Sequence, residues 1–168
     1  MSVFVYRVEL AKFADVAREG RGAYLAGGRW NTPGSAAVYC AGSLSLGILE
    51  ILAHLTPKTR VNPRVYFPIT LDEHAVEVLL RDSLPANFSS ETDTSITQRL
   101  GDTWLRSGSS VALQVPSAIV PGEFNFILNS KHPDYPGAVE WSAPAALTLD
   151  RRIVAAPLPP AASRRKSR

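Results

Sequence analysis

Residues 27–55 read GGRWNTPGSAAVYCAGSLSLGILEILAHL, and a loop, a strand and a helix follow one another in this stretch. Glycines accompany Arg29 in the predicted loop, Tyr39 lies in the strand predicted for residues 36–41, and Glu50 is the single carboxylate of the predicted helix. Three consecutive elements of this kind can bring a cation, an aromatic ring and an anion to one end of a sheet. We therefore expect these side chains to line one small-molecule site. For Arg29 taken alone, a solvated loop residue is the alternative interpretation.

The helix that carries Glu50 is predicted to start after Ser43, because a serine hydroxyl caps the free N–H groups of a first turn. A helical wheel divides it into two faces. The predicted core face contains Leu44, Ile48, Ile51, Leu52 and Leu55. The opposite face contains Ser43, Gly47, Glu50 and His54, with open space beside the carboxylate at the glycine. A solvated polar face is the alternative interpretation.

The first strand is predicted at residues 3–10, VFVYRVEL, from its β-branched and aromatic residues. Alternation places Tyr6 and Val8 on one face and Val5 and Arg7 on the other. A cation on an apolar face needs a partner. Arg7 therefore indicates either a structural ion pair or an anionic ligand.

The remaining pattern predicts a loop at 16–36, strands near 64–71, 75–80, 110–120, 123–129 and 138–150, and a helix near 93–107. For residues 75–80 a helix is the alternative, and β-branched residues favour the strand. Pro68 indicates an edge position or a bulge for the strand that contains it. The predicted buried face of the later helix contains Ile96, Leu100, Thr103 and Trp104, and Gly108 is predicted to end this helix.

Length and composition indicate one globular domain. The chain has 168 residues, 45% of them hydrophobic. Four of its 18 basic residues lie in the last twelve positions, which leaves 14 against 15 acidic residues in the body. A near-neutral body argues against direct nucleic-acid binding. We expect a domain at 1–155 and a disordered basic tail at 156–168.

Other classes lack support in the sequence. Cys40 is the single cysteine, so no internal disulfide is expected. The three histidines are too widely spaced to predict a metal site. No segment approaches the roughly 20 apolar residues of a membrane helix, and no signal peptide is apparent. We predict a cytoplasmic protein that is not bound to membranes.

The Arg–Tyr–Glu set suits one particular reaction. A guanidinium fork binds phosphate, an aromatic ring offers a stacking face, and a carboxylate stabilises positive charge developing at an anomeric carbon. Cleavage of the nicotinamide–ribose bond of NAD+ has these requirements. Its leaving group is already cationic, so electrostatic stabilisation and a held conformation suffice without protonation.

Four segments together resemble the RES-domain family, the toxins of bacterial Xre/RES toxin–antitoxin systems. These are Tyr6-Arg7, the GGRWN segment, VYCAGSLSLGILE, and VPSAIVPGEFNFILNSKHP, which contains Ser117, Asn125 and Asn129. They follow the family's order over residues 3–153. The resemblance implies an α/β (α+β) fold, a compact single domain with a central mixed, mostly antiparallel sheet similar to ADP-ribosyltransferases.

The resemblance also implies which residues form the pocket. They are Arg7, Tyr24, Arg29, Tyr39, Glu50, Ser117 and Asn125. By this likeness the arginines hold the diphosphate or the adjoining ribose, and the tyrosines position the nicotinamide end. The carboxylate steadies the ribosyl cation, and the serine and asparagine line the pocket. The alternative for these last two is that they cap turns beside the site.

The implied activity is NAD+ depletion by hydrolysis or phosphorolysis, with NAD+ as substrate and no other cofactor. The implied partner is an antitoxin with an Xre-like helix-turn-helix domain, and homo- or hetero-oligomers are left open. Two alternatives remain at this point: transfer of ADP-ribose to a protein target, and a non-catalytic module that only binds a partner.

Overall fold

The computed structural model describes residues 1–54 and 62–154. Its strands are β1 Ser2–Leu10, β2 Val38–Ala41, β3 Arg64–Asp72, β4 Val76–Val78, β5 Ala112–Pro116, β6 Phe124–Leu128, β7 Val139–Trp141 and β8 Ala145–Leu147. Its α-helices are α1 Arg21–Ala26, α2 Leu44–His54, α3 Ser95–Ser107, α4 Tyr135–Ala138 and α5 Arg151–Val154. Short 3-10 helices lie at Ala11–Val16, Glu73–Ala75 and Arg81–Ser83. The predicted tail and Leu55 lie outside the described residues.

One sheet organises the domain. Its strand order is β4-β5-β6-β2-β1-β3-β7, and β8 also pairs with β3. The β4–β5 pair is parallel, whereas the other strand pairs are antiparallel. The prediction of a mixed, mostly antiparallel sheet in an α/β domain is confirmed.

The two faces of the sheet carry different apolar cores. On β2 and β6, Cys40 and Phe126 belong to one core, whereas Tyr39 and Ile127 belong to the other. Trp104 of α3 joins the second core. We call this second side, which carries Tyr39, the α3 face. The alternation of side chains along each strand produces the division.

The prediction that Pro68 marks an edge strand or a bulge is wrong. β3 pairs with β1 without interruption on one side, and with β7 and β8 on the other. The Pro68 carbonyl oxygen accepts from Ser142 N at 2.9 Å, between β7 and β8. A strand residue directs its N and C=O to the same side, so the missing N–H also faces this gap. The β1 ladder therefore loses no hydrogen bond.

The predicted division of α2 into two faces is wrong at Gly47, which was expected on the open polar face. Leu46 and Gly47 are its buried residues. A Cβ at Gly47 would lie 3.2 Å from Val8 Cγ2 and 3.6 Å from Ala41 Cβ, so the glycine faces the strands and not an open surface. Glu50 lies about one turn further along this side. The helix therefore directs its carboxylate toward the sheet.

Helix α3 confirms its predicted position and differs in its buried face. Gly108 ends it with φ 58°, as predicted. Trp104 is buried, but Thr103 is exposed, and the buried face also includes Thr97, Gly101 and Asp102. Polar residues lie on this face because the helix packs against a loop with free backbone groups. The loop predicted at 16–36 contains the short helix α1.

Candidate active site

Three of the predicted site residues meet around one carboxylate. Glu50 Oε1 accepts a hydrogen bond from Asn125 Nδ2 at 2.5 Å and another from Ser117 Oγ at 3.2 Å. Helix α2, strand β6 and the end of β5 each supply one member. The register pairs Val115 with Asn125, which places the end of β5 beside the start of β6. The structure thus brings together three of the seven side chains that the family likeness assigns to the pocket.

Ser117 has no hydrogen-bonding capacity left for a ligand. Besides its bond to Glu50, its Oγ accepts from the amides of Ile119 and Val120, both at 3.1 Å. A hydroxyl offers one donor and two acceptor sites. The side chain is also buried. Ser117 therefore caps its own turn and orients Glu50, as its alternative interpretation expected.

Asn125 retains an unused acceptor. Its Oδ1 is buried and has no hydrogen-bond partner among residues 1–54 and 62–154. The flipped amide would place this oxygen against the Glu50 carboxylate, so the carboxylate fixes the amide orientation. Glu50 Oε2 likewise has no partner in the described ranges. Glu50 Oε2 is not among the buried unpartnered atoms of the described residues, so it can receive a donor such as a hydroxyl group.

The segment GGRWN forms a loop built around Tyr39. The Tyr39 hydroxyl accepts from Trp30 N at 2.9 Å and donates to Asn31 Oδ1 at 2.7 Å. Burial is the main cause that raises the pKa of Tyr39. A Cβ at Gly28 would lie 2.5 Å from the Tyr39 hydroxyl oxygen, so the contact requires glycine. Tyr39 is thus a neutral support of the arginine loop, which we define as residues 27–36.

Arg29 extends from this loop to a neighbouring turn. Its Nη1 donates to the carbonyl oxygens of Phe88 at 3.0 Å and Ser90 at 2.9 Å. Within the described part of the chain, Nε and Nη2 have no hydrogen-bond partner. One nitrogen therefore fixes the side chain, and two nitrogens remain available for an anion.

The arginine loop lies over the same face of the sheet as the Glu50 cluster, by which we mean Glu50, Ser117 and Asn125. Tyr39 pairs with Ile127, and Ala41 pairs with Asn125. Because residues two apart in a strand share a face, Tyr39 and Asn125 both belong to the α3 face. The proximity of the Arg29 guanidinium to Glu50 across one cleft stays a prediction.

Arg7 is not part of this arrangement. Tyr6 pairs with Ala41 on the α3 face, so Arg7 starts from the opposite face of β1. Its Nη2 forms an ion pair with Glu9 Oε2 at 2.5 Å, and its Nη1 donates to the Tyr39 carbonyl oxygen at 3.0 Å. The structural ion pair, one of the two predicted alternatives, is observed. Its substrate role stays a prediction.

Tyr24 borders the arginine loop, where its carbonyl oxygen accepts from Gly34 N at 2.8 Å. It is on α1 with 44% of its surface exposed. Its ring contacts the Lys131 ammonium, which lies 5.8 Å from the ring centre. The structure therefore places it at the surface beside the loop, and its role in positioning nicotinamide stays a prediction.

Sequence reasoning missed the polar residues that hold the arginine loop. Asn31 is fully buried and donates from Nδ2 to the carbonyl oxygens of Ala23, Thr32 and Ser35. Asp102 and Gln98 of α3 bind the same loop from outside. The Asp102 and Gln98 contacts join residues 70 positions apart in the chain, so periodicity could not identify them.

Two kinds of feature are absent from the described part of the chain. In residues 1–54 and 62–154, no group of three or more histidine, cysteine, aspartate or glutamate side chains could hold a metal ion. Among the helices of that same part, none has the length and apolar character needed to cross a bilayer.

Comparison with known proteins identifies the family. The RES domain profile matches residues 4–150. The chain belongs to the RES-domain family. It is 34% identical over 154 residues to a protein named Toxin Res from Photorhabdus laumondii, a match that covers 92% of this chain and 99% of that protein. The predicted family is thereby confirmed.

Two other relatives extend this comparison. A Sphingobium protein named Prs ADP-ribosylating toxin is 37% identical over 122 residues, which are 70% of this chain and 75% of that protein. A chain of the M. tuberculosis MbcT–MbcA toxin–antitoxin complex superposes with a TM-score of 0.73 at 23% identity. That match covers 88% of this RES-domain chain and 85% of the other. At this identity the likeness establishes the fold.

Proposed function

We propose that this RES-domain protein is the toxin of a toxin–antitoxin pair and that it cleaves the nicotinamide–ribose bond of NAD+. The observation that carries the proposal is the Glu50 carboxylate, oriented by Ser117 and Asn125 over the face that also holds the arginine loop. The toxin names of relatives matched over most of their length support the biological role.

In this proposal Arg29 binds the diphosphate. Its two free nitrogens offer the paired donors that a phosphate accepts. The diphosphate thereby anchors the substrate beside Tyr39, which keeps the loop in place and is neutral because burial raises its pKa. NAD+ is the substrate, and the proposal requires no other cofactor.

Glu50 acts at the reacting carbon. Its free Oε2 binds a ribose hydroxyl or faces the anomeric carbon as positive charge develops there. The C–N bond breaks with its electron pair going to the nicotinamide nitrogen, which loses its positive charge. Water or phosphate then forms the new C–O bond, and water loses a proton to solvent. A fixed carboxylate in a partly buried site stabilises the cation more than bulk water does.

Transfer of ADP-ribose to a protein is the second candidate. It is favoured by the Sphingobium relative named as an ADP-ribosylating toxin. Both reactions pass through the same ribosyl cation and differ in the nucleophile that captures it. With labelled NAD+, label on protein supports transfer, whereas free ADP-ribose or its phosphate ester supports depletion.

The proposed partner is an antitoxin with an Xre-like helix-turn-helix domain, in the cytoplasm, where NAD+ is consumed. The structural likeness to a chain of a toxin–antitoxin complex supports a protein partner. Expression of the chain with and without its neighbouring open reading frame tests this. We expect cellular NAD+ to fall only when the chain is expressed alone.

The activity itself is tested with purified protein. We expect release of nicotinamide from NAD+, and at least a hundredfold loss of rate in Arg29→Ala and Glu50→Ala, since each removes a group that contacts substrate. Unfolding midpoints of both variants establish that they are folded. Full activity in both variants would show that the site lies elsewhere, and binding of NAD+ without turnover would favour the non-catalytic module.

A further inference from the structure

Helix α3 packs directly against the loop that carries Arg29. At Gly101 an added Cβ would lie 1.8 Å from the Trp30 carbonyl oxygen. A side chain of any size is therefore excluded at this position without a shift of the helix. The backbones of the helix and the arginine loop are in direct contact.

Two polar side chains of α3 bind the loop before and after Arg29. Gln98 Nε2 donates to the Gly28 carbonyl oxygen at 2.9 Å. Asp102 accepts from the Thr32 amide at 3.1 Å and from the Thr32 hydroxyl at 2.7 Å. Spacings of three and four residues place both side chains on the helix face that includes the contacting glycine. The helix thus holds the loop backbone on both sides of the arginine.

Asp102 is an unusual residue for this position. It is buried, with 7% of its surface exposed, and in the described ranges no cation forms an ion pair with it. A buried carboxylate is costly unless hydrogen-bond donors satisfy it. Here the donors are the amide and hydroxyl of Thr32, so the binding capacity of the carboxylate is directed at the arginine loop.

Arg29 is the one charged side chain of the arginine loop. Trp30 and Asn31 are buried and contribute to packing and to internal hydrogen bonds. Arg29 is half-buried and keeps two nitrogens without partners in the described part of the chain. Fixing the backbone at Gly28 and Thr32 therefore fixes the origin of the arginine side chain.

We propose that Asp102 and Gln98 are positioning residues that place Arg29 to receive the substrate diphosphate. This inference rests on the proposed function. They act through the loop backbone and do not touch the substrate. A misplacement of about 1 Å at a substrate-binding group can lower the rate about a hundredfold. Replacement of Asp102 will therefore lower the rate of NAD+ cleavage although it removes no contact to the substrate.

The kinetic test is a double-mutant cycle. We expect Asp102→Ala to lower kcat/KM for NAD+ about 10- to 100-fold, mainly through KM. Asp102→Asn should restore most of the loss, because an amide can accept from the Thr32 amide and donate to the Thr32 hydroxyl. In the Arg29→Ala background, Asp102→Ala should change the rate less than about twofold. Thr103→Ala, an exposed position on the same helix, is the matched control.

A hydrogen-exchange measurement tests the inference independently of activity. Hydrogen exchange of the full chain should accelerate in residues 28–35 in Asp102→Ala and return to the wild-type rate in Asp102→Asn. If Asp102→Ala does not fold, Thr32→Val replaces it, since this exposed threonine loses only its hydroxyl. Should wild-type protein leave NAD+ intact, the proposed function fails, and loop exchange alone decides the positioning role. The inference is overturned if hydrogen exchange in residues 28–35 is unchanged in Asp102→Ala. It is also overturned if Asp102→Ala lowers kcat/KM as much in the Arg29→Ala background as in the wild-type background.

Discussion

At the scale of single residues, the Glu50 carboxylate is bonded on one side. Both donors, Ser117 Oγ and Asn125 Nδ2, reach Oε1. Oε2 has no partner within the described residues. The carboxylate is therefore held in one orientation before any substrate arrives, which is how a preorganised site stabilises developing charge.

Replacement of Ser117 tests this orientation. In Ser117→Ala, Glu50 loses a donor, and hydrogen bonds to charged groups are worth about 1.5–3 kcal/mol. We expect about a tenfold drop in the rate of NAD+ cleavage, measured at saturating substrate. The lost cap to Ile119 and Val120 should also lower the free energy of unfolding by about 1 kcal/mol. Ser130→Ala, whose hydroxyl donates to the Glu19 carbonyl oxygen, is the control. An unchanged rate in Ser117→Ala would contradict the assigned role.

At the scale of elements, two helices approach their neighbours through glycines of different tolerance. Gly101 of α3 lies against the fixed backbone of the arginine loop, where a Cβ would lie 1.8 Å from an oxygen. Gly47 of α2 lies against the side chains of Val8 and Ala41, at 3.2 and 3.6 Å. The contact at Gly101 cannot relax unless α3 or the arginine loop moves. At Gly47, the Val8 methyl group can shift by a few tenths of an ångström.

The two glycines therefore predict opposite responses to the same substitution. Alanine is favoured over glycine inside a helix by about 1 kcal/mol. In Gly47→Ala this gain offsets the crowding at Val8, and we expect the urea midpoint of unfolding to stay nearly unchanged. In Gly101→Ala the clash dominates, and we expect destabilisation of about 2–3 kcal/mol together with reduced activity. Equal midpoints for the two variants would show that α3 can move freely away from the loop.

At the scale of the whole molecule, β1 and β2 pair at one position, Tyr6 with Ala41. Where this pairing stops, the Arg7 guanidinium donates a hydrogen bond to the Tyr39 carbonyl oxygen. This side-chain bond joins the two strands in place of a backbone hydrogen bond. Beneath this junction lies Cys40, whose buried thiol has its pKa raised to about 12 by desolvation, with the nearby Arg7 charge opposing the shift. The fold therefore keeps the Cys40 thiol protonated at alkaline pH values at which a thiol exposed to water ionises.

These buried groups predict that stability falls at alkaline pH. The native state keeps the Cys40 proton above pH 9, whereas the unfolded chain loses it, so the free energy of unfolding decreases as pH rises. One such group contributes a slope of up to about 1.4 kcal/mol per pH unit, and Tyr39 and Tyr135 add theirs above pH 10. Urea midpoints between pH 7 and 11 measure the decrease. In Cys40→Ala the decrease should begin nearer pH 10, and the same onset in both proteins would contradict this account.

Much of the fold follows from short-range patterns. The strands β1, β2, β3, β5 and β6 and the helices α2 and α3 lie where alternation, periodicity and turn residues predicted them. Gly108 ends α3 because glycine readily adopts the left-handed backbone conformation found at this helix end. Pro121-Gly122 forms the turn that separates β5 from β6. These features depend on interactions within a few residues, so the local sequence is sufficient to specify them. The family likeness then indicated that Glu50, Ser117 and Asn125 share a site.

Other features depend on which distant segments become neighbours. Pro68 lies in an interior strand because the gap between β7 and β8 faces its missing N–H. Gly47 faces the sheet because β1 and β2 come close beneath α2. Asp102 reaches Thr32 across a separation of 70 residues, and the arginine loop is held in place as a result. Chain folding brings such partners together by packing both faces of one sheet, and no window of sequence contains both members of these contacts.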